Sequence, residues 1–525
     1  MKHSSLVLLA AILLPTRMVS AESVAPLTWT PCGPVTASSN DVSSRTECAR
    51  LRVPRDYAQP EAATLDLDVV RVVAASERGN RHDGVVLLEP DEFAEPAIVA
   101  VPAMASTWLD GDGYWREAAR RLDLVGLAQR RMDDAGGRDC LSATSHLPRH
   151  DSLGTDGTLG NMTTAGNLAL AIATACQNDT MHAHIGVGPR IEDMERLREA
   201  LGQPAIHLIG IGRGGWVASR YAERYPRHVG RMLLDSSWDA DGSVAEAMEA
   251  RVEERGRTIR RAVAALIADP ARYHGGDDVA AIHRRLGRLP PLAYATWTRH
   301  IVDADDLAAV LVLGTLSARH ATMSTPVLRN ALVSAERVVD IDVDVPIRRS
   351  AGWMLDRLDA DRSGDPYGFG PRASNASPAL TASVFATRCN DGSWGSDRSY
   401  WRTRTRDLRA TWPSAVGNES FQGMVCSEWP TAFAPSSVPD LVGAPPFLMV
   451  HAEFDDEAPL RPAAMMLQGH ANASMVVARN LRAHGVLARR DRACVSELAG
   501  RFLVDGTLPA AKLSNCRLPL QPTMP

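Results

Sequence analysis

Between Pro204 and Pro226 the chain reads PAIHLIGIGRGGWVASRYAERYP. The run AIHLI has the continuous apolar character of a buried strand, and the segment after the glycines predicts a helix. A strand that turns sharply into a helix can carry two chemistries. Gly210, Gly212 and Gly215 fit G-x-G-x-x-G, a backbone cradle for a dinucleotide, with Asp235 at the end of the next strand-like run as its acidic partner. Read as G-x-S-x-G, the turn that presents a nucleophilic serine, the same letters put Gly212 where the serine belongs. The second reading needs an acid and then a histidine further along. Asp455 follows the apolar run FLMV, and His484 follows the strand-like run SMVVARNL. In that order and setting a carboxylate can orient an imidazole, which can in turn serve a nucleophile.

These residues need a sheet to hold them. Leu65 to Val73 alternates like a half-buried strand, and Val85–Leu88 and Ala97–Val101 read as short apolar strands. Arg190 to Leu201 sets Ile191, Met194, Leu197 and Leu201 on one helical face, with Gly202 as the stop. HVGRMLLD then predicts another buried strand. From about Asp239 to Asn375 the pattern becomes helical, opening on VAEAMEARVEERGRTIRRAVAALI. Strand signals return at ASVFATRC and APPFLMVHAEFD, and VSELAGRFLV closes the chain with a helix. Strands alternating with helices imply an α/β protein with a mostly parallel sheet covered on both faces.

Composition narrows the function. The formal net charge of −5 gives no basic footprint for nucleic acid. Lys2 and His3 precede LVLLAAILL, and Val19-Ser20-Ala21 suits cleavage after Ala21, the pattern of a secretory signal peptide. No later apolar run is long enough to cross a bilayer. Eight cysteines, at 32, 48, 140, 176, 389, 426, 494 and 516, all follow that segment. Their spacing leaves connectivity open, and sequential pairing is the parsimonious scheme: Cys32–Cys48, Cys140–Cys176, Cys389–Cys426 and Cys494–Cys516. No C-x-x-C pair occurs, and no metal or other cofactor is expected. Lys2 and Lys512 are the only lysines, so catalysis by a site lysine is excluded.

A resemblance runs nearly end to end. WTPCG, ECARLRVPRDYAQP, ALGQPAIHLIGIGRGG, YAERYPRHVGRMLLD, RCNDG, CSEWP, HAEFDDEAP, AHGV and RFLVDGTLP resemble, in order, the landmarks of the secreted tripeptidyl-aminopeptidase/prolyl-aminopeptidase branch of the α/β-hydrolases. The resemblance implies an α/β-hydrolase fold with a helical cap insertion and disulfides where the cysteine pairs fall. It also implies a serine exopeptidase acting on free N-termini. Residues 1–21 would be the signal, 22–238 and 376–525 the two parts of the core, and 239–375 the cap, with the TAP-like domain in the last part. Asp455 and His484 would be acid and base, and Gly212 stands at the serine position.

Three departures coincide. Gly212 offers no side chain to acylate. VPAMAS (101–106) stands where the family has an HGGPG-like loop, so the oxyanion donors would be the N–H groups of Arg213 and Ala103. In AQRRMDDAGG the family's D-x-R-G-x-G loop has lost its aspartate and first glycine. The expectation is an exported homologue, inactive as a serine peptidase, that binds a peptide or small ligand without nucleic acid or membrane. The alternatives are an active exopeptidase or esterase with a displaced nucleophile such as Ser106, Ser236 or Ser237, and, remotely, dinucleotide binding at Gly210–Gly215.

Overall fold

The computed structural model describes residues 24–33, 40–75, 83–92, 96–111, 113–134, 138–145, 158–273, 278–320, 324–338, 341–364, 378–392, 394, 398–411, 419–429, 441–487 and 493–518. The expected signal segment, 1–21, lies outside them.

Ten strands form one sheet. In chain order they are β1 (Thr30–Pro31), β2 (Thr46–Pro54), β3 (Thr64–Val72), β4 (Gly84–Glu89), β5 (Leu122–Leu127), β6 (Ile206–Ile211), β7 (Val229–Asp235), β10 (Phe447–Phe454), β11 (Ala473–Arg482) and β12 (Leu513–Arg517). The spatial order is β1-β2-β3-β5-β4-β6-β7-β10-β11-β12. From β5 onward neighbours are parallel, whereas β1, β2, β3 and β5 pair antiparallel. Side chains alternate between two cores, as strand geometry requires. Leu208, Met232, Leu234 and Met449 enter one, and Ile209, Leu233, Leu448 and Val450 the other. Helices cover both faces, so the parallel strands are apolar on both sides.

Two sequence expectations are corrected. Ala97–Val101 is not a strand but the start of the Ala97–Asp110 helix, which contains Pro102. A short apolar run does not by its pattern distinguish a strand from a buried helix face. The clue was Gly126 in β5: a Cβ there would come within 2.6 Å of Val101 Cγ2, so this strand glycine admits the crossing helix. ASVFATRC likewise lies in the Pro378–Asn390 helix, whose Phe385 packs on the sheet core beside Phe421.

The cap follows β7. The Val244–Ala268 helix starts from a capping box at Ser243 and Glu246. It leaves the body core at Met248 and joins a separate cap core from Val252 onward. That core includes the Ala304–His320 and Val345–Gly364 helices, and a short antiparallel strand pair, β8 (Arg337–Val338) with β9 (Ile341–Asp342), packs on it. All four sequential cysteine pairs are disulfides.

Glycines 210, 214 and 215 are steric requirements of the turn after β6. A Cβ on Gly210 would lie 2.6 Å from Gly215 Cα, one on Gly214 2.2 Å from Glu89 O, and one on Gly215 2.3 Å from Ser237 Oγ. Backbone cannot yield as a flexible side chain would. Gly214→Ala is therefore expected to destabilise the fold by about 1–3 kcal/mol, read as a lower denaturation midpoint at unchanged m-value.

Candidate functional site

Gly212 is the hinge of the turn between β6 and the Arg213–Arg224 helix, with φ 57° and ψ −124°. Positive φ is costly for any residue with a Cβ. Backbone bonds fix the turn: Gly212 N–H donates to Asp235 O (3.0 Å), and Gly212 O accepts from Gly215 N–H (3.1 Å). A Cβ on Gly212 would point at His484, 2.8 Å from Nε2. The sequence-predicted residues thus converge on one point.

His484 follows β11 and is held from two directions. Its Nδ1 lies 3.1 Å from both carboxylate oxygens of Asp455. Asp455 follows β10 and is itself fixed, because Oδ1 accepts the N–H groups of Glu457 (3.0 Å) and Ala458 (2.9 Å). The loop after His484 is tied down by Asp235, fully buried, whose carboxylate accepts the N–H groups of Val486 (2.7 Å) and Leu487 (2.8 Å). Gly485 N–H donates to Ser236 Oγ (3.0 Å).

A residue that the sequence reading missed completes the cluster. Asp91 follows β4 and turns its carboxylate into the space beside Gly212. A Cβ on Gly212 would come within 2.5 Å of Asp91 Cγ and Oδ1. Asp91 Oδ1 accepts the N–H of Arg213 (2.9 Å), and Oδ2 lies 3.2 Å from His484 Nε2. The imidazole therefore stands between two carboxylates. Burial alone would push the His484 pKa down, but Asp455 and then Asp91 outweigh it and hold it well above the ordinary value. Burial would likewise raise Asp91; His484, the Arg213 N–H and Arg251 override it and keep the carboxyl ionised.

Asp91 is locked in place by its neighbours. Glu89 forms a buried pair with Arg190 (Nη2–Oε2 2.6 Å), and Glu92 forms another with Arg388 (Nε–Oε2 3.0 Å). The loop that meets Gly212 is therefore Pro90–Asp91. Ala103, expected as an oxyanion donor, is instead an exposed position within the Ala97–Asp110 helix, whose backbone is committed to that helix. Arg213 N–H does stand at the expected place, but Asp91 occupies it, and its guanidinium turns away to pair with Asp391. In the AQRRMDDAGG segment, Arg130 is buried and bonded through Nε and Nη2 to Asp193 (2.7 and 2.8 Å).

The displaced-serine candidates do not reach the cluster's open side. Ser106, Ser236 and Ser237 are buried, and none lines the cavity described below. Ser236 Oγ takes the Gly485 N–H, and Ser237 Oγ donates to Trp238 O (2.8 Å). The dinucleotide alternative also fails: the helix's first N–H carries Asp91, and the Asp235 carboxylate is spent on Val486 and Leu487. Among the described residues, no group of three or more His, Cys, Asp or Glu side chains could hold a metal.

Asp91, Asp455 and His484 open onto a cavity of about 850 Å³ between body and cap. One wall is apolar, including Ala100 and Met104. The cap wall brings Arg251, His300 and Trp353. Arg251 Nη1 pairs with Glu457 Oε2 at 3.0 Å, and Arg482, at the end of β11, pairs with Asp306 of the cap at 2.7 Å. These contacts anchor the cap over the site.

Comparison with known proteins agrees with this architecture. Residues 189–322 match the model of the alpha/beta hydrolase fold, and residues 413–516, which contain Asp455 and His484, match that of the TAP-like protein. The chain has the α/β-hydrolase fold with a TAP-like C-terminal region. Within that class its sequence is similar to proteins named tripeptidyl aminopeptidase and serine protease. It is 23% identical over 498 residues to the tripeptidyl aminopeptidase of Streptomyces lividans, covering 93% of this chain and 86% of the relative. It is 25% identical over 522 residues to the serine protease Hip1 of Mycobacterium tuberculosis, covering 94% and 91%. Among solved structures, an alpha/beta hydrolase fold protein from Nakamurella multipartita matches with a TM-score of 0.32 at 13% identity, over 87% of this chain and all (100%) of that one.

A histidine with a raised folded pKa stabilises the fold fully below its unfolded pKa of about 6.5. That contribution is lost as pH rises through the folded value. Asp91→Asn is therefore expected to cost more stability at mildly acid than at strongly alkaline pH. Nitrogen NMR of the ring should show both His484 nitrogens protonated at neutral pH in the wild type, and an earlier titration in the variant.

Proposed function

We propose that this chain is an exported α/β-hydrolase homologue that has lost serine-peptidase chemistry and binds a peptide or small ligand in the cavity beneath its cap. The single observation that carries this reading is the geometry at Gly212. The turn, the histidine and the orienting acid are in place, but the point they converge on holds no hydroxyl. A carboxylate fills the volume instead and takes the N–H that would stabilise an oxyanion. An acyl-enzyme needs a nucleophile there, and a tetrahedral intermediate needs that donor free. Loss of a triad nucleophile alone lowers turnover by roughly a millionfold.

Export is supported by the four disulfides, which suit an oxidising compartment, and by the signal-like residues 1–21 with cleavage after Ala21. Asp455 and His484 are retained as an acid–base pair without a serine to serve. The ligand reading rests on the cavity's size and mixed lining, apolar on one side and charged on the other. The names of two relatives, a tripeptidyl aminopeptidase and a serine protease, support a peptide, and that of a third, a carboxylesterase, a small ester.

The test uses peptide-amide reporters with free N-termini and a p-nitrophenyl ester, beside a His484→Ala control. No turnover above the control is expected; turnover that disappears in the control would overturn the reading. Gly212→Ser alone is expected to stay inactive, because its Cβ would collide with the Asp91 carboxylate.

A further inference from the structure

We propose that the cavity beneath the cap holds its ligand by a carboxylate seated on Arg357. The ligand is then a monoanion with an apolar body: a short peptide with a free C-terminus, or a small organic acid. This rests on the reading of that cavity as a ligand site and specifies which group of the ligand is recognised.

The pairing of charges singles out the residue. Arginines line much of the cavity, and most are already neutralised. Arg251 pairs with Glu457 (3.0 Å), Arg255 with Glu419 (2.9 Å), Arg261 with Glu254 (3.0 Å) and Arg479 with Glu453 (3.1 Å). Arg482 is taken twice, by Asp303 (3.0 Å) and Asp306 (2.7 Å). The charge of Arg299 acts on the carboxyl groups of Asp456 and Glu457. Among the described residues, Arg357 and Arg461 of the lining have no carboxylate partner.

These two differ in their surroundings. Arg461 is exposed in the first turn of the Leu460–Gly469 helix, where water solvates it. Arg357 is half-buried on the Val345–Gly364 helix of the cap, and its Nε is closed off from solvent without an acceptor. Its Nη groups likewise bond to nothing among the described residues, and the side chain lines the cavity. A guanidinium drawn partly out of water and left unpaired is costly, so this wall is one anion short. Trp353, one turn earlier, sets its position: the ring centroid lies 5.8 Å from the guanidinium carbons of both Arg357 and Arg482. His300 packs edge-on against the same ring, with 4.9 Å between centroids. With Nε enclosed, the two Nη groups are left for a ligand, and a carboxylate matches that fork with two parallel bonds.

Charge also limits the ligand to a single negative group. Only one half-buried guanidinium is unpaired among the described lining residues, so a phosphate-like dianion would meet one counter-charge. On the body side the cluster of Asp91, Asp455 and His484 sets two carboxylates around one imidazolium and would repel a second anion. Val99, Ala100, Met104 and Ile211 offer an apolar wall for the rest of the molecule.

The experiment is calorimetry of the full chain with two acid–amide pairs. One is the tripeptide Ala-Leu-Ala and its C-terminal amide; the other is 3-phenylpropionic acid and its amide. The pair that binds distinguishes a peptide from an organic acid. Within it the acid is expected to bind roughly ten- to a hundredfold more tightly than the amide, the range for hydrogen bonds to a charged group. Arg357→Gln keeps most of the stem without the charge, and should erase the acid's advantage while leaving the amide's affinity unchanged. A folding defect would weaken acid and amide alike, so their ratio separates recognition from folding. Arg461→Gln should keep the preference. The acid–amide ratio is read first in the wild type, so a variant that fails to fold does not hide the answer. Equal binding of acid and amide overturns the proposal and leaves the ligand reading standing. A preference that survives Arg357→Gln, or that is lost in Arg461→Gln, does the same. No binding by any of the four compounds overturns both.

Discussion

The site depends on the absence of one Cβ. At Gly212 the backbone turns from β6 into its helix at positive φ, and the volume that a side chain would take contains the Asp91 carboxylate. Any larger residue would displace that carboxylate from the Arg213 N–H and from His484. The two positions are therefore sterically coupled. Electrostatics follows from the steric fact, since a carboxylate on each side makes the imidazolium the favoured form of His484.

Holding such a cluster requires rigidity around it. Charges so close together are expensive to desolvate, and they remain in place only when their remaining hydrogen-bonding capacity is met. Here it is met largely by backbone: Asp455 by Glu457 and Ala458, Asp91 by Arg213, and the histidine loop by Asp235. The buried pairs at Glu89 and Glu92 bracket Asp91 on the chain and connect it to helices on the outside of the sheet. The same fold that presents a hydroxyl in a serine hydrolase can thus present a carboxylate, because the turn and the histidine loop are built independently of the group between them.

Much of this was legible in the sequence. The strand–glycine–helix unit, Asp455 after β10 and His484 after β11 each follow from a local pattern, because each residue lies directly after an apolar strand. The cysteine pairing was readable because every bridge closes a loop of neighbouring elements. Where the reading failed, the signal was ambiguous rather than absent. Ala97–Val101 and ASVFATRC are short apolar runs with β-branched residues, and packing against the sheet made both helical. Taking the first as a strand moved the expected loop from Pro90–Asp91 to Val101–Ser106, and with it the donor from the true loop to Ala103. The apolar run VVLL, followed at once by EPDE, already marked where a strand ends and an acid begins.

By itself, the sequence determined the alternation of strands and helices, the missing side chain at residue 212 and the order of acid and histidine. These are properties of adjacent residues, and periodicity records them. The tertiary structure alone decided what stands in the vacated place. Asp91 and Arg213 are 122 residues apart, and Glu92 and Arg388 are 296 apart. No local pattern encodes such a meeting, which arises only when parallel strands bring the loops at their ends to one edge of the sheet.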